Sequence, residues 1–207
     1  MQIRLCRSLL VIAAMAAFGA EAALAQTDVY KVNYFSNNLY ILTTGGIGKP
    51  PGLPDGYVRI ANPGLTYGNL CAMIYVFDQD QQMTECCGCA VSHDGLLTVS
   101  VPQLTLNPLT LVVSQNGVIK VVSAAVNNTP CDPTANVKPK ANLRVWATHI
   151  QNQVPLGSFG GTVWPVTETE SSDSTLGATE LTNLQAQCGF INILGSGQGI
   201  CSCGLPG

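Results

Sequence analysis

Most of the chemistry this sequence can do resides in eight cysteines: Cys71, Cys86, Cys87, Cys89, Cys131, Cys188, Cys201 and Cys203. Oxidised in pairs, they are covalent staples. Held as thiolates, the pairs Cys87/Cys89 and Cys201/Cys203 make a four-sulfur shell for zinc or an iron–sulfur cluster, with His93 as a further ligand. Structural zinc sites favour two to four residues between ligands, and these pairs are separated by one. An even set of cysteines in an exported chain reads instead as disulfides. Sequence alone does not choose among the pairings. Geometry narrows them. Adjacent Cys86 and Cys87 point to opposite faces of an extended segment and need different partners, whereas Cys87 and Cys89 share a face, as do Cys201 and Cys203. The favoured staple joins the Cys86–Cys89 cluster to the Cys201/Cys203 pair. Cys86-Cys87-Gly88-Cys89 has the spacing of a redox motif but lacks the βαβ context of a thioredoxin.

Acid–base chemistry is thinly supplied. The histidines are His93 and His149. His93 is followed by Asp94, but sequence neighbours cannot take base-and-orienter geometry, so His93-Asp94-Gly95 reads as a turn. His149 closes a strand pattern and reads as a rim histidine. There is no G-x-S-x-G, P-loop or dinucleotide fingerprint. Gly195-Ser196-Gly197-Gln198-Gly199 follows a helix, so it does not cradle phosphate. Asp78, Asp80 and Glu85 fall short of a calcium loop, and Glu168 with Glu170 makes a glycosidase pair only by accident of folding. Trp146, Trp164, Tyr34, Phe35 and Tyr40 are candidate carbohydrate platforms, although at 6% aromatics the core competes for them. The reading is of a protein with no catalytic, metal or cofactor site.

The elements that position the cysteines follow a leader. Arg4 and Arg7 precede an uncharged apolar run, Leu9 to Ala20, and Ala23-Leu24-Ala25 supplies small residues for a signal peptidase. Residues 1–25 are therefore expected to be a signal peptide cleaved after Ala25, taking Cys6 with it. The run is short of the roughly 20 residues that span a bilayer, so no transmembrane anchor is expected after cleavage. Losing Arg4, Arg7 and Glu21 takes the formal charge from −3 to −4. With no basic patch, nucleic acid is excluded as a partner. Charged residues are 10% of the chain against 46% hydrophobic, which argues for a packed domain over 26–207 instead of disorder.

Within that domain, residues 29–34, 39–42 and 57–60 favour strand, and residues 45–56 are Gly/Pro-rich loop. Leu70 to Phe77 is a continuous apolar run, suited to a fully buried strand, with a turn at 78–81. Leu97, Val99 and Val101 alternate with polar residues. Asn116-Gly117, between 109–114 and 118–123, predicts a two-residue hairpin. Leu143, Val145 and Ala147 share a face of a strand over 142–150. Residues 161–166 suggest an edge strand because of Pro165, and 167–175 reads as acidic loop. Leu181, Leu184, Cys188 and Ile191 recur at helical spacing, predicting an amphipathic helix of about 178–194 with Gly195 as C-cap and Cys188 tethering it to a sheet. The sum is a mainly β protein: a disulfide-stapled antiparallel β-sandwich with one C-terminal helix over an edge or end, and a cysteine-containing tail.

At residues 71–78, 85–89 and 195–203 the chain resembles a group of uncharacterised exported bacterial cysteine-containing proteins. The resemblance implies a bacterial, extracytoplasmic setting and brings no assigned activity, so no catalytic residue is carried over. The expected function is that of a secreted or periplasmic structural or surface protein, not an enzyme. It would self-assemble into a homo-oligomer or filament by strand addition, with residues 27–42 as donor, because nearly uncharged strands leave sheet edges open to pairing. The alternative is a secreted ligand- or carbohydrate-binding module.

Overall fold

The computed structural model describes residues 26–36, 41–43, 46–48, 53–54, 56–66, 68–107, 109, 113–126, 131–134, 137–157, 161–195 and 203. The expected signal peptide and most of the tail, Cys201 included, lie outside them. Two antiparallel sheets pack face to face. The first has the order β13-β1-β8-β5-β6, built from Ser172–Leu176 (β13), Gln26–Ser36 (β1), Asn116–Ala125 (β8), Leu70–Asp78 (β5) and Met83–Val91 (β6). The second has the order β12-β9-β4-β7, from Val166–Glu170 (β12), Arg144–Ile150 (β9), Tyr57–Ala61 (β4) and Leu96–Ser100 (β7). Small ribbons pair Ile41–Thr43 (β2) with Gly46–Gly48 (β3), and Val154–Pro155 (β10) with Thr162–Val163 (β11). The last ribbon prolongs the β9/β12 hairpin beyond the sandwich. A short helix, Val101–Thr105 (α1), follows β7, and Ala178–Leu194 (α2) closes the described fold apart from the tail.

The two periods of the sequence explain the layers. Between the sheets lie Ala72, Ile74 and Val76 of β5, Ile119 and Val121 of β8, and Val58 and Ile60 of β4, joined by residues of β7, β9 and α1. The residues of opposite parity, Cys71, Met73 and Tyr75 of β5 with Val122 and Ala124 of β8, face outward onto Leu184, Cys188 and Ile191 of α2. Strand β5 is thus covered on both faces, which is why its sequence is apolar throughout instead of alternating. The helix keeps its predicted bounds. Gly195 ends it in the left-handed region, φ 73°, with its N–H bonded to the carbonyls of Asn192 and Ile191.

Several expectations are overturned. Helix α2 lies across the outer face of the first sheet, from Tyr30 of β1 to Cys86 of β6, and not over an edge or end. A sheet central strand with two apolar faces needs a second cover, and the helix is that cover. Asn116-Gly117 is not a hairpin turn. Both residues start β8, opposite Ser36 and Phe35 of β1, and neither has a positive φ. Glycine is required there for closeness: a Cβ at Gly117 would sit 1.9 Å from the Phe77 carbonyl oxygen and 2.7 Å from the Phe35 ring. Val101 leaves the strand pattern to begin α1. The acidic segment 167–175 is no loop. It holds most of β12 and β13, which are edge strands whose side chains are largely exposed, so no apolar alternation marks them. The edge strand expected over 161–166 forms only as the two-residue ribbon β11, and the chain leaves strand at Trp164 and Pro165 before β12 begins.

Candidate functional site

The cysteines sit where strand alternation puts them. Cys86 faces outward and bonds Cys188 of α2, while Cys89, on the inner face, bonds Cys203 in the tail. Cys71 bonds Cys131. The Cα–Cα separations are 5.7, 5.4 and 5.5 Å respectively, within the range a disulfide spans. Cys87 is disulfide-bonded as well. The segment carrying Cys131 runs close over β6: a Cβ at Gly88 would lie 1.8 Å from the Cys131 carbonyl oxygen, so only glycine admits it. The disulfides among the described residues point to an oxidising, extracytoplasmic environment. No helix among the described residues is long and apolar enough to cross a membrane.

On the opposite flank, the chain crosses from the second sheet to the first at Ser171, between β12 and β13. A cavity of about 530 Å³ opens there, lined by Asp28, Lys31, Asn142, Arg144, Glu170 and Asp173 among others. Lys31 of β1 faces Asp173 of β13 as a direct cross-strand pair and is ion-paired with it; the Lys31 side chain is only 7% exposed. Arg144 holds Glu170 through two guanidinium nitrogens. Asn33 donates to the Thr169 carbonyl and to Ser171 Oγ, each at 3.3 Å. Next along β1, the Tyr30 hydroxyl donates to Glu180 of α2 at 2.8 Å, and Lys120 of β8 reaches the same carboxylate oxygen at 2.7 Å. Asp28 and Asn142, both in this cluster, have φ of 62° and 106°, conformations non-glycine residues rarely take.

The electrostatics keep the carboxylates of this cluster that face cations charged. The Arg144 hydrogen bond holds Glu170 below the usual carboxylate range; Lys31 does so for Asp173 and Lys120 for Glu180. Burial first, then Glu180, pushes the Tyr30 phenol up. Near neutrality these three carboxylates are therefore charged and the phenol is neutral. With Lys31, Arg144 and Lys120 these carboxylates form a clasp of opposite charges that joins β1 and β9 to the β12–β13 corner and α2 to β1 and β8.

No family model, curated protein or solved structure matches the chain. Its site residues therefore stand on geometry alone.

The other candidates fall apart or change character. His149 is not at the rim. It is 2% exposed, stacked at 4.1 Å on the half-exposed Tyr34, with Nε2 2.7 Å from Thr169 Oγ1 and Nδ1 buried without a hydrogen-bond partner. Burial lowers its pKa, and no third group orients the ring as a hydrolytic base requires. His93-Asp94-Gly95 is a turn, with Asp94 at φ 57°. The calcium-like trio is dispersed: Asp78 Oδ1 accepts the amides of Asp80 and Gln82, whereas Glu85 is fully buried. Desolvation lifts the Glu85 carboxyl to about 8, against a single hydrogen bond from the Cys86 amide, and its second oxygen is unpartnered. Glu168 and Glu170 are each paired with an arginine, Arg59 and Arg144. Of the carbohydrate platforms, Phe35 is in the core, Trp146 is partly covered by Arg144, Trp164 is half-buried, and Tyr40 lies outside the described residues. Sequence reading missed the clasp and the burial of Glu85. The only trace of the clasp was the clustering of acidic residues in 168–173.

Proposed function

We propose that this is an exported structural or surface protein without catalytic function, secreted or periplasmic after loss of its signal peptide, whose copies associate by exchange of strand β1. One observation carries the reading. With the leader removed after Ala25, β1 is the first segment of the mature chain, yet it is an internal strand, paired over seven residues with β8 and also with β13. A terminal strand can be donated to another copy and make there the same hydrogen bonds that it makes at home. Residues 37–56 separate it from β4. Part of that span is the β2–β3 ribbon, which a donation would open to gain about 3.3 Å per extended residue. The edge strands β12 and β13 are not the nearly uncharged edges expected from the sequence. Glu168 and Glu170 on β12 and Asp173 on β13 discourage indiscriminate edge pairing, so association through a donated strand is the route left open at that flank.

Light scattering and electron microscopy of the mature protein across a concentration series test this. Concentration-dependent oligomers or filaments are expected, and a monomer at every concentration overturns the reading. A second reading, a ligand- or carbohydrate-binding module, draws support from the charged cavity and from half-buried Trp146 beside Arg144. A saturable change in tryptophan fluorescence with a soluble glycan would favour it.

A further inference from the structure

Resting on that reading of β1, we infer that the clasp is a register lock: Lys31–Asp173, together with the Tyr30–Glu180–Lys120 and Asn33–Ser171 contacts, makes the slot between β8 and β13 specific for the N-terminal strand of this same chain, so that the partner is a second identical copy. Apolar fit alone would not give such selectivity. The slot walls are β-branched and forgiving, with Val118, Ile119, Val121 and Val122 along β8. The polar contacts are not forgiving. A one-residue slip of β1 turns every side chain to the other face. A two-residue slip keeps the faces but sets Val29 or Asn33 opposite Asp173, leaving a lysine buried without its carboxylate. The same slip takes Tyr30 away from Glu180 and Asn33 from Ser171. An irregularity in the pairing between Gln26 and Tyr30, where Asp28 has a positive φ, marks the register a further time. A foreign strand lacking a cation at the Lys31 position would leave Asp173 without its partner, beside a Glu170 that Arg144 already holds.

Charge reversal tests the lock on the full mature chain. One variant carries Lys31→Asp and the other Asp173→Lys, so each meets like charge in its own slot and opposite charge in the other's. Neither variant alone should exchange. Their equimolar mixture, refolded together, should give a heteromer containing both chains by native mass spectrometry, with self-exchange at least about tenfold weaker, as expected when like charges are juxtaposed. A mixture that yields only self-associated species, or variants that exchange with wild type as readily as wild type does with itself, overturns the inference. Should either single variant fail to fold, the double variant Lys31→Asp/Asp173→Lys decides. Recovery of folding and wild-type melting supports the lock, and no recovery overturns it. The underlying reading fails separately: a monomeric wild type sinks strand exchange, whereas the double-variant rescue is read on a single chain's stability.

Discussion

The two flanks of the sandwich are held by different forces. On the β5–β6 flank, Cys71, Cys86 and Cys89 tie the strands covalently to Cys131, Cys188 and Cys203. On the β1–β9 flank no disulfide occurs among the described residues, and the ties are ion pairs: Lys31–Asp173, Arg144–Glu170, Arg59–Glu168 and Lys120–Glu180. A chain with 10% charged residues has concentrated them where β1 docks. The difference teaches how one domain can be permanent on one side and releasable on the other. A disulfide constrains the unfolded chain at any pH or salt. An ion pair weakens with protonation and screening.

The comparison breaks most readily at the covalent flank. Replacing Cys86 and Cys188 by alanine removes a closure spanning 102 residues and the tether of α2. A loss of about 2–5 kcal/mol is expected in chemical denaturation, insensitive to salt; an unchanged midpoint would show that packing alone holds the helix. Gly88→Ala should follow at about 1–3 kcal/mol, because its Cβ collides with backbone and not with a flexible side chain.

Asp173→Asn tests the other flank. It leaves buried Lys31 without a carboxylate, but Asp173 is itself half-exposed, so the expected loss is discounted to about 1–2 kcal/mol. Unlike the cysteine variants, the difference from wild type should shrink in 1 M salt, on the order of a 3 Å screening length. Equal loss at low and high salt would erase the contrast between the flanks. The smallest effect belongs to Arg59→Ala, an exposed pair with Glu168, at about 0.2–1 kcal/mol.

The pH profile sharpens the contrast from both ends. Asp173, Glu170 and Glu180 are held below their unfolded values, so the stability they contribute is present above the usual carboxylate range and is lost as pH falls through their folded values. Acid should therefore loosen the clasp first, visible as faster amide exchange in β1 and β13 than in β5. Glu85 works in the opposite sense. Its folded value, about 8, exceeds the unfolded one, so the folded state keeps a proton that the unfolded state has lost, and stability falls as pH rises from about 4.5 through 8. Glu85→Gln should flatten that alkaline limb; a profile unaltered above pH 6 would contradict this account of the buried carboxyl.

How much of this was legible beforehand depended on the range of each interaction. The sequence by itself determined the mainly β class, the strand at 70–77 with its two apolar faces, the bounds of α2 with its Gly195 cap, the reading of the cysteines as disulfides, and the divergence of Cys86 from Cys87. Apart from the disulfide reading, which rests on an even cysteine count in an exported chain, these follow from side-chain periodicity or local backbone preference, which a few neighbouring residues define. Only the tertiary structure decided that Cys86 meets Cys188, that the acidic stretch at 167–175 makes two edge strands, that Asn116-Gly117 pairs instead of turning, that His149 and Glu85 are buried, and that Lys31 lies opposite Asp173. Edge strands show no apolar alternation because little of them is buried. A pair such as Lys31–Asp173, separated by 142 residues, has no local signature, since its partners become neighbours only when the two sheets have closed.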